Sequence, residues 1–251
     1  MQRYISLAIT HYNSSEYIYD AIFPAINDDR ISEIIICDDS SRDINNLKKL
    51  VEELNCNKIK LFINTINKGC YDNKIEVISK CTNEWAILLD SDNVLSESYV
   101  DTLFKIPEWN QTIIYAPSNA ITFPEYPPSE LLNFSIYENT MITKETFLNE
   151  IRNLKFLCLT NNCNYFLPVK TFLNCMKPLQ HLYDRRTMDC QDSLILFSDW
   201  LCNNNTFYVV KDLHYKHRLR PNSNYMVSTS RIHENENKEK VINKVVQNIN
   251  S

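Results

Sequence analysis

Four short apolar runs punctuate the first part of the chain: YISLAIT from Tyr4, SEIIICDD from Ser32, KIKLFIN from Lys58 and WAILL from Trp85. Segments of helical period separate them. In the first run Ile5, Leu7 and Ile9 share one face and small residues the other, as in a strand lying between two layers. Between Asp43 and Leu54 the apolar residues Ile44, Leu47, Leu50, Val51 and Leu54 recur at three and four, which predicts an amphipathic helix with Asp43 as its N-cap. Tyr71, Ile75, Ile78 and Cys81 mark one face of the next helix. Strands separated by helices at this spacing need right-handed crossovers, so the chain is expected to build an α/β fold around a mostly parallel central sheet with helices on both faces. Such sheets bind ligands outside the carboxyl ends of their strands.

Further on, Ser96 opens a short helix through Phe104, and TIIYAP reads as another strand. The regularity breaks at FPEYPP. TKETFLNEIRN then reads as a helix capped at Thr143, NYFLPVKTFLNCM as strand into helix, DCQDSLILFSDWL as a largely buried helix and TFYVVKDLHYKHR as a strand ending in charge. No flexible linker intervenes, so residues 118–220 are expected to form a smaller lobe of the same domain as residues 1–117. After Pro221 the chain turns polar, and 221–251 is a tail or a marginal helix with Val241, Val245 and Ile249 on one side.

With 251 residues, 44% of them hydrophobic, the chain can bury a full core. It contains a single glycine, so turns that need positive φ must fall to Asn and Asp. Its nine cysteines, an odd number without paired short spacings, and a polar N-terminus without an apolar signal core point to reduced thiols in a cytoplasmic setting. No apolar run approaches the roughly 20 residues that cross a bilayer, so no transmembrane segment is expected and the chain is soluble or at most peripheral to a membrane. A formal net charge of -5 provides no field for a nucleic acid. Any polyanionic ligand must be held by a local device.

EWAILLDSDNVL supplies a candidate for that device. Residues two apart on an extended chain face the same way, about 6.5 to 7 Å apart, so Asp90 and Asp92 converge just past the end of an apolar strand. A divalent cation, Mn²⁺ or Mg²⁺, removes their repulsion and in turn attracts a diphosphate. The other reading is that both acids cap the following helix. An EF-hand register from Asp90 fails, because Leu95 falls where glycine must turn.

ISLAITHYN, EIIICDDSSRD, INKGCYDNK and EWAILLDSDN stand in the order and spacing of the N-terminal half of family 2 glycosyltransferases with the GT-A fold. The likeness is clear over residues 4 to 105 and fainter to about residue 218. The resemblance implies that Thr10, Tyr12 and Asp39 hold the nucleoside, that Asn67 and Gly69 form the family's Asn-x-Gly turn, that Lys74 contacts the nucleotide, and that Asp90-Ser91-Asp92 is the metal-binding triplet at the diphosphate. For Lys74 a solvated helix face is the competing reading, and Asp38 is expected to brace the turn with Ser40 and Ser41.

The same resemblance implies an inverting transfer from a nucleotide diphosphate sugar, UDP by the family's habit, to a hydroxyl of a glycan, protein or lipid. The family's base is the last acid of a pair opening a helix in the second lobe. Asp192 of Gln191-Asp192 fits that place, with Asp189 as the second candidate; a plain helix N-terminal acid favoured by the dipole is the alternative for Asp192. A third metal ligand would come from LHYKHRLR, with His217 better placed than His214, while Lys216, Arg218 and Arg220 are available to the diphosphate. TNNCNYF resembles the acceptor-side Gly-Asn segment without its glycines. Two other functions share these features: a nucleotidyltransferase, which would need a glycine-rich basic loop where THYNSSEY stands, and a sugar-nucleotide-binding protein without catalysis.

Overall fold

The structure is a computed structural model and describes residues 3–123, 130–162, 164–176, 191–220 and 234–250. The predicted strands form as β1 (Ile5–His11), β2 (Ile31–Asp38), β3 (Ile59–Ile63) and β4 (Trp85–Asp90), interleaved with α1 (Ile18–Ile26), α2 (Ile44–Leu54) and α3 (Cys70–Ser79). β1 pairs in parallel with both β2 and β4, and β2 with β3. Ile5 through Ile9 are wholly inaccessible, so both faces of β1 are covered, as the apolar runs require. Each aliphatic side chain buried this way contributes about 1.5–3 kcal/mol.

The chain continues through β5 (Val94–Leu95), α4 (Tyr99–Phe104), β6 (Ile113–Phe123), β7 (Met141–Ile142), α5 (Lys144–Glu150), α6 (Leu154–Thr160), β8 (Phe166–Pro168), α7 (Val169–Cys175), α8 (Asp192–Cys202), β9 (Thr206–Arg218) and α9 (Glu234–Asn250). All nine strands of the described residues join one sheet in the order β3-β2-β1-β4-β8-β6-β9-β5, with β7 also on β9. The long ladders are parallel; the antiparallel pairs, β4 with β8, β6 with β8, β5 with β9 and β7 with β9, are short. Residues on both sides of Ser118 therefore share one sheet, and the lobe boundary expected at residue 118 falls within β6.

Several local expectations are altered by tertiary contacts. Asp43 precedes α2, but its carboxylate does not cap that helix; Oδ2 accepts the backbone N–H of Ser15 at 2.8 Å and ties down the loop after β1. The helix expected from Ser96 begins at Tyr99, because Val94 and Leu95 pair with Lys216 and Tyr215 and the Ser96 hydroxyl donates to the His214 carbonyl. β6 runs well past TIIYAP since β9 offers it a parallel partner as far as Arg218. Thr143 does cap α5, accepting the N–H of Thr146. The C-terminal segment is helix α9, whose Val241, Val245 and Ile249 are buried, and α9 packs on α8.

The scarcity of glycine has the expected outcome. Positive φ falls on Asn13, Asn55, Asn139, Asn204 and Asp212, with Ser40 the exception. Cys37, Cys56, Cys81 and Cys175 are free thiols. No described helix is long and apolar enough to cross a membrane.

Candidate active site

Parallel register brings the motif residues to one edge. Thr10 lies opposite Cys37 on one side and Asp90 on the other, and His11 lies opposite Asp38. The carboxyl ends of β1, β2 and β4 thus align a row of polar groups where the sheet stops. Thr10 Oγ1 donates to Asp90 Oδ1 at 3.3 Å, and Tyr12 stands half-buried just beyond.

Asp38 is fully buried and ionised. Burial acts to raise its pKa, but His11 Nδ1–H donating at 2.8 Å and the Ser41 backbone N–H at 3.1 Å outweigh it, so the net shift is downward. The bracing role expected for Asp38 is thus played through Ser41 and His11. Asp39 organises the Asn-x-Gly turn: Oδ1 accepts the N–H of Lys68 and the amide of Asn64, Oδ2 accepts the N–H of Gly69, and Asn67 donates to the Asp39 carbonyl. These donors use three of the carboxylate's roughly four accepting positions. Gly69 adopts φ 89° and ψ 163°, a region essentially closed to residues with a Cβ, which explains why the chain's one glycine stands at this turn.

Lys74 is not on a solvated helix face. It is 5% exposed, and its ammonium lies 3.2 Å from Asp90 Oδ1 and 2.6 Å from Asp192 Oδ2. Asp192 opens α8, which is buried through Leu201, so it is at once a helix N-terminal acid and a member of this cluster. Ser91 turns its hydroxyl to Ser14 at 2.6 Å, while its N–H reaches the Thr10 carbonyl.

Asp92 is held from the end of β9 and just beyond it: Arg220 Nε donates to Oδ2 at 2.7 Å, and Arg218 Nε donates to the Asp92 carbonyl at 3.1 Å. Arg218 also pairs with Asp20 at 2.6 Å and lies over the rings of Tyr17 and Phe123. Lys216 is exposed.

A polar chain behind β4, unread from the sequence, sets the tautomer of His217. The Asp90 N–H donates to Asn164 Oδ1, Asn164 Nδ2 donates to Asn162 Oδ1, and the Tyr215 hydroxyl donates to the same Asn162 oxygen. With its proton so committed, Tyr215 accepts from His217 Nδ1–H at 3.2 Å, leaving Nε2 as a bare acceptor. Burial lowers the His217 pKa, against the opposing pull of Asp92 and Asp90. Asp90, Asp92 and His217 carry donor atoms of the kinds Mn²⁺ or Mg²⁺ takes, but among the described residues they do not form a group whose ligand atoms all lie within 4.8 Å of one another. His214 lies on the opposite face of β9. There its ring nitrogen groups with the carboxylates of Glu138 and Asp212, all within 4.8 Å of one another, and this cluster includes neither Asp90 nor Asp92.

Asp189, most of FPEYPP and residues 221–233 lie outside the described residues. What the sequence reading passed over is the pairing: Lys74 with Asp192, Arg220 with Asp92, His11 with Asp38. The only trace of the last is a titratable residue at the end of a strand that holds no other.

The mixed sheet with acids at its strand ends is the architecture of the GT-A fold. Residues 6–164 match the family described as Glycosyl transferase family 2, and the chain belongs to that family. Solved structures of S. aureus TarS share its architecture. TarS 1-349 in complex with UDP matches with a TM-score of 0.65 at 15% identity, over 98% of this chain and 65% of that one. The complex with UDP-GlcNAc gives 0.64 at 16% identity, over 89% and 61%. A further TarS structure gives 0.61 at 12% identity, over 96% and 43%. This chain thus spans less than two thirds of each. No curated protein matches it.

Proposed function

We propose that the chain is a metal-dependent, inverting glycosyltransferase that moves a sugar from a UDP-sugar to a hydroxyl of a glycan, protein or lipid. The observation that carries this reading is the Lys74 ammonium, 3.2 Å from Asp90 and 2.6 Å from Asp192. It joins the strand-end acid on the donor side to the helix-end acid on the acceptor side. UDP and UDP-GlcNAc in the TarS structures favour a uridine donor.

In this reading Thr10, Tyr12, Asp39 and Asn67 line the nucleoside at the ends of β1 and β2. The remaining accepting position of Asp39 meets a ribose hydroxyl or a base N–H, and Ser91 keeps the turn between the two acids close to β1. Mn²⁺ or Mg²⁺ on Asp90 and Asp92, with His217 Nε2 as third ligand, would supply Lewis-acid charge to the leaving diphosphate. Lys74, Arg218 and Arg220 add positive charge on the same side. Asp192 accepts the proton of the acceptor hydroxyl as general base. The freed oxygen pair attacks the anomeric carbon opposite the diphosphate, the anomeric C–O bond breaks, and the nucleoside diphosphate leaves with the electron pair. One displacement inverts the anomeric centre.

Thermal denaturation against a panel of sugar nucleotides, with and without Mn²⁺, tests the proposal. A true donor at about 100 times its dissociation constant adds about 2.7 kcal/mol of stability. If no nucleotide stabilises the protein with Mn²⁺ present, the proposal fails.

A further inference from the structure

We infer that Lys74 is an internal counter-cation for Asp90, occupying the charge position that a divalent cation takes, so that metal and nucleotide diphosphate load together and not one by one. This rests on reading Asp90 and Asp92 as metal ligands. The Lys74 side chain is 7% exposed and reaches Asp90 Oδ1 at 3.2 Å and Asp192 Oδ2 at 2.6 Å. An ammonium that deep is tolerable only because two carboxylates flank it. Asp92 carries a parallel arrangement, with Arg220 Nε at 2.7 Å from Oδ2. Each acid of the DxD triplet therefore already has a cation from its own chain.

A divalent ion arriving alone on Asp90 would share that carboxylate with the ammonium, and like charges so placed repel strongly in a partly dry site. A nucleotide diphosphate changes the balance. It brings several negative charges to the same edge of the sheet and offers Lys74 a new partner. The lysine stem is flexible and its ammonium carries three donors, so Lys74 can turn from Asp90 to the diphosphate while keeping Asp192. Asp90 is then exposed to the metal only when a donor is present, and the acceptor-side acid stays tied to the donor through one residue.

The test is Mn²⁺ binding to the full chain, followed by electron paramagnetic resonance of the free ion, first without nucleotide and then with UDP. Wild-type protein is expected to bind Mn²⁺ weakly alone and tightly with UDP. Lys74→Met should bind Mn²⁺ alone about tenfold more tightly than wild type, with a correspondingly smaller gain on adding UDP. Lys74→Arg should behave as wild type. Since Lys74→Met leaves the Asp90 and Asp192 carboxylates without the cation between them, Lys74→Met/Asp192→Asn removes that repulsion, and Arg220→Met repeats the experiment on Asp92 at the rim of the site. Mn²⁺ affinity unchanged or weaker across these variants, with UDP synergy intact in the wild type, overturns the counter-cation and leaves the metal site standing. No Mn²⁺ binding to wild type even with UDP overturns both.

Discussion

The two ends of the parallel sheet each place an acid beside a lysine, and they use it differently. At the amino end Glu33 is enclosed by its own chain: Ser6 Oγ, Lys60 Nζ and the N–H and hydroxyl of Thr82 all donate to it. Burial alone would push its pKa up, but these donors outweigh burial and hold it at about 2. At the carboxyl end Asp90 shares Lys74 with Asp192 and takes one long hydrogen bond from Thr10, and its side chain remains 33% exposed. A saturated carboxylate cross-links a fold. One left open to solvent beside a second acid can exchange its partners for a ligand.

That contrast can be broken or sharpened by experiment. The largest effect is expected for Asp192→Asn, which should lower turnover about 10²- to 10⁴-fold while UDP binding measured by calorimetry persists; unchanged turnover would remove Asp192 from the chemistry. Next, Glu33→Ala strands several donors at the closed end and should cost about 2–3 kcal/mol in urea denaturation, with UDP affinity unchanged. Loss of UDP binding there would show that the two ends are not independent.

The pH dependence of the closed end is smaller and has a definite sign. Because folding lowers the Glu33 pKa from 4.5 to about 2, its stabilising contribution is complete above pH 4.5 and is lost as pH falls towards 2. The stability gap between wild type and Glu33→Gln should therefore narrow across that window and stay flat above it. The smallest effect belongs to Lys60→Met. The Lys60 side chain is 47% exposed, solvent screens the pair, and a loss under about 1 kcal/mol is expected by chemical denaturation.

Much of the fold was legible along the chain because strand and helix periods are local properties. The apolar runs at Ile5, Ile34, Ile59 and Trp85 became β1 to β4, since a strand buried on both faces leaves few polar positions. The Thr143 cap and the left-handed asparagines follow from residue chemistry in the same way. Where a residue's partner lies far away in sequence, the reading went astray. Asp43 looked like a cap, yet the Ser15 backbone claimed its carboxylate. Lys74 could pass for a solvated residue until α8 covered it.

Taken by itself, the amino-acid sequence determined the alternation of strands and helices, the sheet edge at which Asp39, Asp90 and Asp92 emerge, and the turn that only Gly69 can make. The tertiary structure alone decided which charges face each other. Lys74 and Asp192 are 118 positions apart, and Arg220 and Asp92 are 128 apart. Hydrophobic patterning sets which face of an element is buried, but a carboxylate's partner depends on which distant helix or strand end arrives within hydrogen-bond range.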